Sequence, residues 1–208
     1  MLWDERSARD NVRNREGKRV FYLQEGDTLT PSARDFLQRE RIQVLPASQA
    51  KPEHMTHLNA QVLVRKDHPR IRFRGTMDTL QAQLLLCGAK TEEILALARR
   101  LIRCDVLDEP VGEFALYGLT QAQQRHHSHF PQEHYGIAHF MPDYSDAEMI
   151  LKLNLCRCFA REAELAAVEA FVDADGKVLR PDILQAINRM SSMLYILMLR
   201  EKANLGKE

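Results

Sequence analysis

Residues Ser145 to Val172 read SDAEMILKLNLCRCFAREAELAAVEAFV, and the periodicity of this stretch decides the fold. No glycine or proline interrupts it, and its polar residues recur at steps of three and four, the repeat of a helix. Asn154, Arg157, Arg161, Glu164 and Val168 fall on one face. Leu151, Leu155, Phe159, Ala163, Ala166 and Ala167 flank them, so the spacing predicts a long helix whose charged stripe borders a packed surface. The stripe has two readings. It is a solvated face laced with helix-stabilising ion pairs, or it is a site for polyphosphate oxygens or a ribose, which forked, permanently charged guanidinium groups suit well.

Downstream, a second helix is expected over Pro181 to Ala203, opened by its proline. Its apolar face, Ile183, Ile187, Met190, Leu194 and Leu197, runs beside a polar notch of Asn188, Ser191, Ser192 and Tyr195. Such a notch is either a satisfied core hydrogen bond or a ligand contact. Upstream, Met77, Leu80, Leu84 and Leu85 share a helical face. Another helix starts at Thr91, with Glu92 and Glu93 in its first turn and Ile94, Leu95, Ala98, Leu101 and Ile102 following. Between Pro110 and Pro142 the pattern dissolves into a loop-rich region holding His126, His127, His129, His134 and His139. A histidine-rich loop reads as solvated surface, the alternative being ligation of a metal or of cobalt.

The first 50 residues have a different texture. Asp4 to Arg19 is dense in charge without an apolar period, which predicts a mobile arm or a partner-binding tail. Arg19 to Leu23 reads as a strand, Thr30 and Pro31 open a short helix to about Arg41, and Ile42 to Leu45 forms a second strand ended by Pro46. A polar linker follows from Ala47 to Glu53. The expected architecture is mainly α: a small α/β head with a charged arm over residues 1–50, and a helical bundle over 51–208.

Composition limits the function classes. The 29 basic residues balance the 29 acidic ones, so no global field would hold nucleic acid or an anionic membrane, and any phosphate must be bound locally. No apolar stretch spans a bilayer and the start has no basic-then-apolar leader, so a cytoplasmic location is expected. Cys87, Cys104, Cys156 and Cys158 are scattered through apolar helical text and read as reduced packing thiols.

Several segments match a known family. Arg157-Cys-Phe-Ala-Arg161-Glu-Ala-Glu164 resembles the arginine-rich helix motif of the ATP:corrinoid (cobalamin) adenosyltransferases of the propanediol-utilisation type, and Asn188-Arg-Met-Ser-Ser192 resembles their later asparagine motif. Lys66-Asp-His-Pro-Arg-Ile71 and Gly75-Thr-Met-Asp-Thr-Leu-Gln81 are similar to the family's lysine-containing turn and first bundle helix. Leu179-Arg-Pro-Asp-Ile-Leu-Gln-Ala186 and Leu29-Thr-Pro-Ser-Ala-Arg34 resemble the ethanolamine-utilisation branch in particular.

The resemblance implies a five-helix bundle that moves the 5'-adenosyl group of ATP to the cobalt of reduced cobalamin. By that likeness Lys66 neutralises ATP phosphates, Arg161 and Glu164 hold the nucleotide, Asn188 hydrogen-bonds to it, and Arg157 pairs with Asp78. Phe140 and Met141 are the apolar candidates against the lower face of the corrin. ATP and cobalamin are the substrates, with Mg²⁺ on the phosphates, and no general base is required. The likeness further implies a homo-oligomer, a trimer in preference to a dimer, with sites between subunits. A flavoprotein reductase, a B12-dependent lyase and a location within a bacterial microcompartment follow from the same source. No resident metal is expected, because the thiolates of a cysteine cluster carried by some ethanolamine-branch members are missing here. Ser192 stands where relatives commonly carry an acid. These two departures favour the alternative, a non-catalytic adenosylcobalamin carrier or scaffold. A third reading is a helical module whose charged stripes serve a protein partner.

Overall fold

The computed structural model describes residues 1–15, 17–49, 52–59 and 62–205. It divides into two compact units, Met1–Lys66 and Asp67–Glu208.

The first unit begins with β1 (Leu2–Trp3), α1 (Glu5–Asp10), β2 (Arg13–Arg15) and β3 (Lys18–Leu23). It continues with β4 (Thr28–Leu29), α2 (Pro31–Arg39) and β5 (Gln43–Pro46). Strands β3 and β5 pair in parallel, with Phe21 opposite Val44, and α2 makes the crossover between them. The helix starts where the sequence predicts: the Thr30 hydroxyl accepts from the Ala33 N–H at 3.2 Å, and Pro31 occupies the first turn. Ala8, Phe21, Ala33, Phe36, Leu37 and Ile42 form the core.

Two expectations for this region are corrected. The charged arm is folded. The Asp4 carboxylate accepts from the Ser7 N–H at 2.8 Å and the Asp4 N–H donates back to the Ser7 hydroxyl at 3.1 Å, a reciprocal cap that starts α1. Ala8 is fully buried in the core, and β2 pairs antiparallel with β3. The arm hides its structure because one alanine supplies its only buried helical contact, while Arg9 pairs with Glu5 and lies over the Phe36 ring. The boundary also moves, from residue 50 to Lys66. The expected linker begins with a 3₁₀ turn at Ala47–Gln49, and its residues 50 and 51 lie outside the described residues. Beyond them β6 (Met55–His57) and β7 (Leu63–Arg65) form a hairpin belonging to the first unit.

The second unit comprises α3 (Pro69–Leu86), a 3₁₀ turn at Gly88–Thr91, α4 (Glu92–Leu107), a hairpin of β8 (Ala115–Leu116) and β9 (Leu119–Thr120), and α5 (Gln121–His129). It ends with α6 (Pro131–Tyr135), α7 (Glu148–Phe171) and α8 (Pro181–Leu205). Helix α7 packs against both α3 and α8, with α4 and α5 flanking, so this unit is a helical bundle and the chain as a whole is mainly α. The buried stripe of α7 starts with Ile150 and Leu153 and continues with small residues, Cys156, Ala160, Ala163 and Ala167. Alanines there let two neighbouring helices approach closely. This phase differs from the expected one. Leu151 and Leu155, read as packed, are exposed, as is Leu85 on α3.

The loop-rich region is also corrected, because it contains α5 and α6. Helix α5 is started by Thr120, whose hydroxyl accepts from the Gln123 backbone N–H while the Gln123 side-chain Oε1 accepts from the Thr120 N–H. The buried residues of α5 are Gln124 and Ser128, so a search for apolar periodicity passes over it. Three cysteines are buried as expected, with Cys87 and Cys156 sulfurs 3.6 Å apart, but Cys158 is exposed. The fully buried Asp105 on α4 accepts from Arg70 Nε at 2.8 Å and Arg74 Nε at 2.6 Å, clamping α4 to α3. Two guanidinium groups are needed because one desolvated carboxylate without partners would be costly.

Candidate functional site on the α7–α8 seam

Helices α7 and α8 are joined by a turn closed by a Val172–Val178 bridge, and they pack along each other. Near the turn, the Asn188 amide donates to Glu164 Oε1 at 2.9 Å. Seven residues back along α7 and seven forward along α8, the Arg157 guanidinium lies 5.5 Å from the centre of the Tyr195 ring. Equal steps in opposite directions are what an antiparallel pair requires, so these are two rungs of one ladder, about 10 Å apart at helical rise. Arg161 lies between Arg157 and Glu164 in the chain, exposed, with no ion pair among the described residues.

The Tyr195 rung reaches the segment before Pro142. The Tyr195 hydroxyl accepts from the Phe140 N–H at 3.2 Å and lies 3.3 Å from His139 Nδ1. The Phe140 ring is tilted against the Tyr195 ring, and the Lys202 ammonium sits 4.4 Å from its centre. Arg157, Tyr195 and Phe140 are therefore brought together. Met141 is turned out, 84% exposed.

One expected pair is not brought together. Asp78 and Arg157 form no ion pair: Asp78 sits exposed on α3, where its carboxylate accepts from the Gln81 amide at 3.4 Å. Although α3 and α7 pack, the stripe of α7 that faces inward is the alanine-rich one, and Arg157 leans instead toward α8. Lys66 ends the first unit, exposed, with its backbone N–H donating to the His54 carbonyl at 2.8 Å.

Arg189 was missed by the sequence reading. It is 8% exposed, and its Nη2 donates to Asn188 Oδ1 at 2.7 Å. That bond fixes which end of the Asn188 amide faces Glu164. Nε and Nη1 of Arg189 are buried without a partner. Burial pushes the guanidinium below its ordinary pKa and the nearby Arg125 adds to this, while Glu164 opposes it. The signal in the sequence is an arginine where the apolar face of α8 should continue, between Ile187 and Met190.

The fold and this face define a helical-bundle protein whose α7–α8 seam carries guanidinium, amide and carboxylate side chains. Comparison with known proteins narrows the class. The family model for cobalamin adenosyltransferase matches residues 47–201. The corrinoid adenosyltransferase EutT of Escherichia coli (strain K12) and that of Salmonella typhimurium (strain LT2) are each 35% identical over 157 residues, covering 72% of this chain and 59% of theirs. The chain thus spans about three fifths of the length of these curated relatives. No solved structure matches. The chain belongs to the cobalamin adenosyltransferase family.

Proposed function

We propose that this protein transfers the 5'-adenosyl group of ATP to the cobalt of cob(I)alamin. The observation that carries the reading is the α7–α8 ladder, a Glu164–Asn188 rung and an Arg157–Tyr195–Phe140 rung with the free Arg161 between them in the chain, in a member of this family. In the reaction the cobalt electron pair attacks the ribose 5'-carbon, a carbon–cobalt bond forms, and the carbon–oxygen bond breaks with its electrons leaving on triphosphate. The corrin supplies the nucleophile, so the protein's task is to position the ends and stabilise charge on the leaving group.

Glu164 and Asn188 hold the nucleoside, Asn188 being pre-set by Arg189, while Arg161 takes the phosphates. Arg157 and Asp78 are assigned to the reacting end of the nucleotide. Phe140 offers an apolar surface to the corrin with Met141 beside it, and exclusion of a lower axial ligand there makes cob(I)alamin easier to reach. Glu164 is already engaged by Asn188, so Mg²⁺ would be carried by the phosphates and its waters rather than by a protein cage.

The product suits a B12-dependent lyase such as one acting on ethanolamine, with electrons from a flavoprotein reductase. This reading places the protein in the cytoplasm or inside a bacterial microcompartment. Among the described residues no helix is long and apolar enough to cross a membrane. Leu151, Leu155, Cys158 and Leu165 line an exposed ridge of α7 at helical spacing, the kind of surface a second copy would cover in a trimer or dimer.

A carrier of finished adenosylcobalamin is the second reading, favoured by Ser192 and by Asp78 and Arg157 pairing with other residues instead of each other. Mixing the protein with ATP, Mg²⁺ and chemically reduced cobalamin, and following the absorbance change of carbon–cobalt bond formation, separates the two. Turnover supports the transferase. Binding of adenosylcobalamin without turnover supports the carrier.

A further inference from the structure

The five histidines expected on a loop split into two groups. His129 and His139 are engaged locally: His129 Nδ1 lies 2.8 Å from the Arg125 carbonyl, and His139 lies beside the Tyr195 hydroxyl and the His129 carbonyl. His126, Glu133 and His134 instead converge, their ligating atoms all within 4.8 Å of one another. His126 Nδ1 and His134 Nε2 are 2.8 Å apart.

The convergence is built by two short helices. His126 is in the last turn of α5, and its carbonyl accepts from the Phe130 N–H at 2.9 Å. Pro131 is buried and starts α6, which presents Glu133 and His134 back toward α5. The His127 ring stacks on His134 at 3.6 Å and 8°, and His127 Nδ1 shares a hydrogen bond with the Tyr135 hydroxyl at 2.9 Å. The plane of one donor ring is thus set by its neighbours, the support that imidazole ligands require.

We propose that His126, Glu133 and His134 bind one divalent transition-metal ion of the zinc type. Two imidazoles and one carboxylate are a borderline donor set, matched to zinc, cobalt or nickel rather than to magnesium or calcium, which take oxygen shells. In a tetrahedral site with zinc–nitrogen bonds of about 2.0–2.1 Å, two ligating nitrogens stand roughly 3.3 Å apart. The two imidazoles need part by only about half an ångström, and all three side chains are exposed enough to do so. The fourth position is left for water or an anion. His134 also borders a cleft of about 570 Å³ that Arg200 and Lys202 line, so an anionic fourth ligand would meet cations there. The site shares no residue with the proposed nucleotide roles and does not depend on them.

The test uses the full chain after chelator treatment and dialysis. Zn²⁺ is titrated calorimetrically, and Co²⁺ is titrated while its visible absorption is recorded. One ion per chain is expected for each, with Co²⁺ bands of low-coordinate N/O ligation. The double variant His126→Ala/His134→Ala should bind roughly 100-fold more weakly or worse, more than supporting residues alone cost, while His129→Ala/His139→Ala binds as the parent does. Should the first double variant unfold by circular dichroism, Glu133→Gln decides, with a loss of about tenfold or more expected. Absence of saturable binding overturns the proposal, as does unchanged affinity in the ligand variants or an equal loss in the His129/His139 control.

Discussion

A single side chain, Arg189, shows how stability and function pull apart in this protein. It orients Asn188 through one hydrogen bond while two of its nitrogens lie buried and unpaired. A desolvated charge with missing partners is destabilising, so Arg189→Met should leave the melting temperature unchanged or raise it. The same change frees the Asn188 amide to turn away from Glu164, so KM for ATP should rise several-fold while kcat moves less. Paired melting curves and steady-state kinetics check this. A large drop in melting temperature would make Arg189 a structural residue. Asp182 is the opposite case, a charge well supplied with partners. It accepts from Arg180 Nε at 3.0 Å, from Arg180 Nη2 at 2.9 Å and from the Val111 N–H at 3.0 Å. The Arg180 guanidinium beside it holds its carboxyl down at about 2. A carboxylate depressed on folding stabilises above its unfolded pKa, near 3.8, and loses that contribution as the pH falls through about 2. Asp182→Asn should therefore cost about 1–2 kcal/mol at neutral pH. Its stability should also fall less steeply than the parent's between pH 4 and 2, as read from denaturant curves across that range.

At the scale of elements, polar contacts decide what apolar periodicity leaves open. Asp105 ties α4 to α3 through Arg70 and Arg74, and removing it would take away the fully buried carboxylate that both guanidinium groups share. Asp105→Ala should cost about 3–5 kcal/mol in equilibrium unfolding, against near zero for an exposed ion pair such as Arg72–Glu169. Thr120→Ala should remove the cap of α5 at a cost of about 1 kcal/mol. It should raise amide exchange in α5 before it does so in α7. The same contrast explains which elements could be read from the sequence. Helices α3, α4, α7 and α8, the β3–α2–β5 crossover and its Thr30–Pro31 start were legible, because each buries an apolar stripe or carries a cap at the right spacing. Helices α1 and α5 were not, since one buries a single alanine and the other buries Gln124 and Ser128. The phase of α7 was misjudged for a related reason: leucines are stronger markers than alanines, yet here the alanines face inward and Leu151 and Leu155 face out.

Across the whole molecule, the candidate site was legible as a set of residues and not as an arrangement. The motif around Arg157, Arg161, Glu164 and Asn188 stood out from its helical spacing and its resemblance, but the ladder depends on the antiparallel register of α7 and α8, which no local pattern encodes. The expected Asp78–Arg157 pair failed because a face of α3 and a face of α7 were assigned to each other without knowing the phase of either helix. Arg189 stayed hidden because an arginine within a run of core positions reads as an interruption. The central claim is that the polar face of α7 and α8 binds nucleotide and is not only a solvated surface. Calorimetric titration of ATP with Mg²⁺ into the parent and into Arg161→Ala, with melting curves of both, tests it most directly. The predicted result is ATP affinity reduced by about tenfold or more, the loss of a charge-assisted contact, at an unchanged melting temperature. Undiminished ATP binding in Arg161→Ala, or a loss of binding matched by a loss of fold, would contradict it.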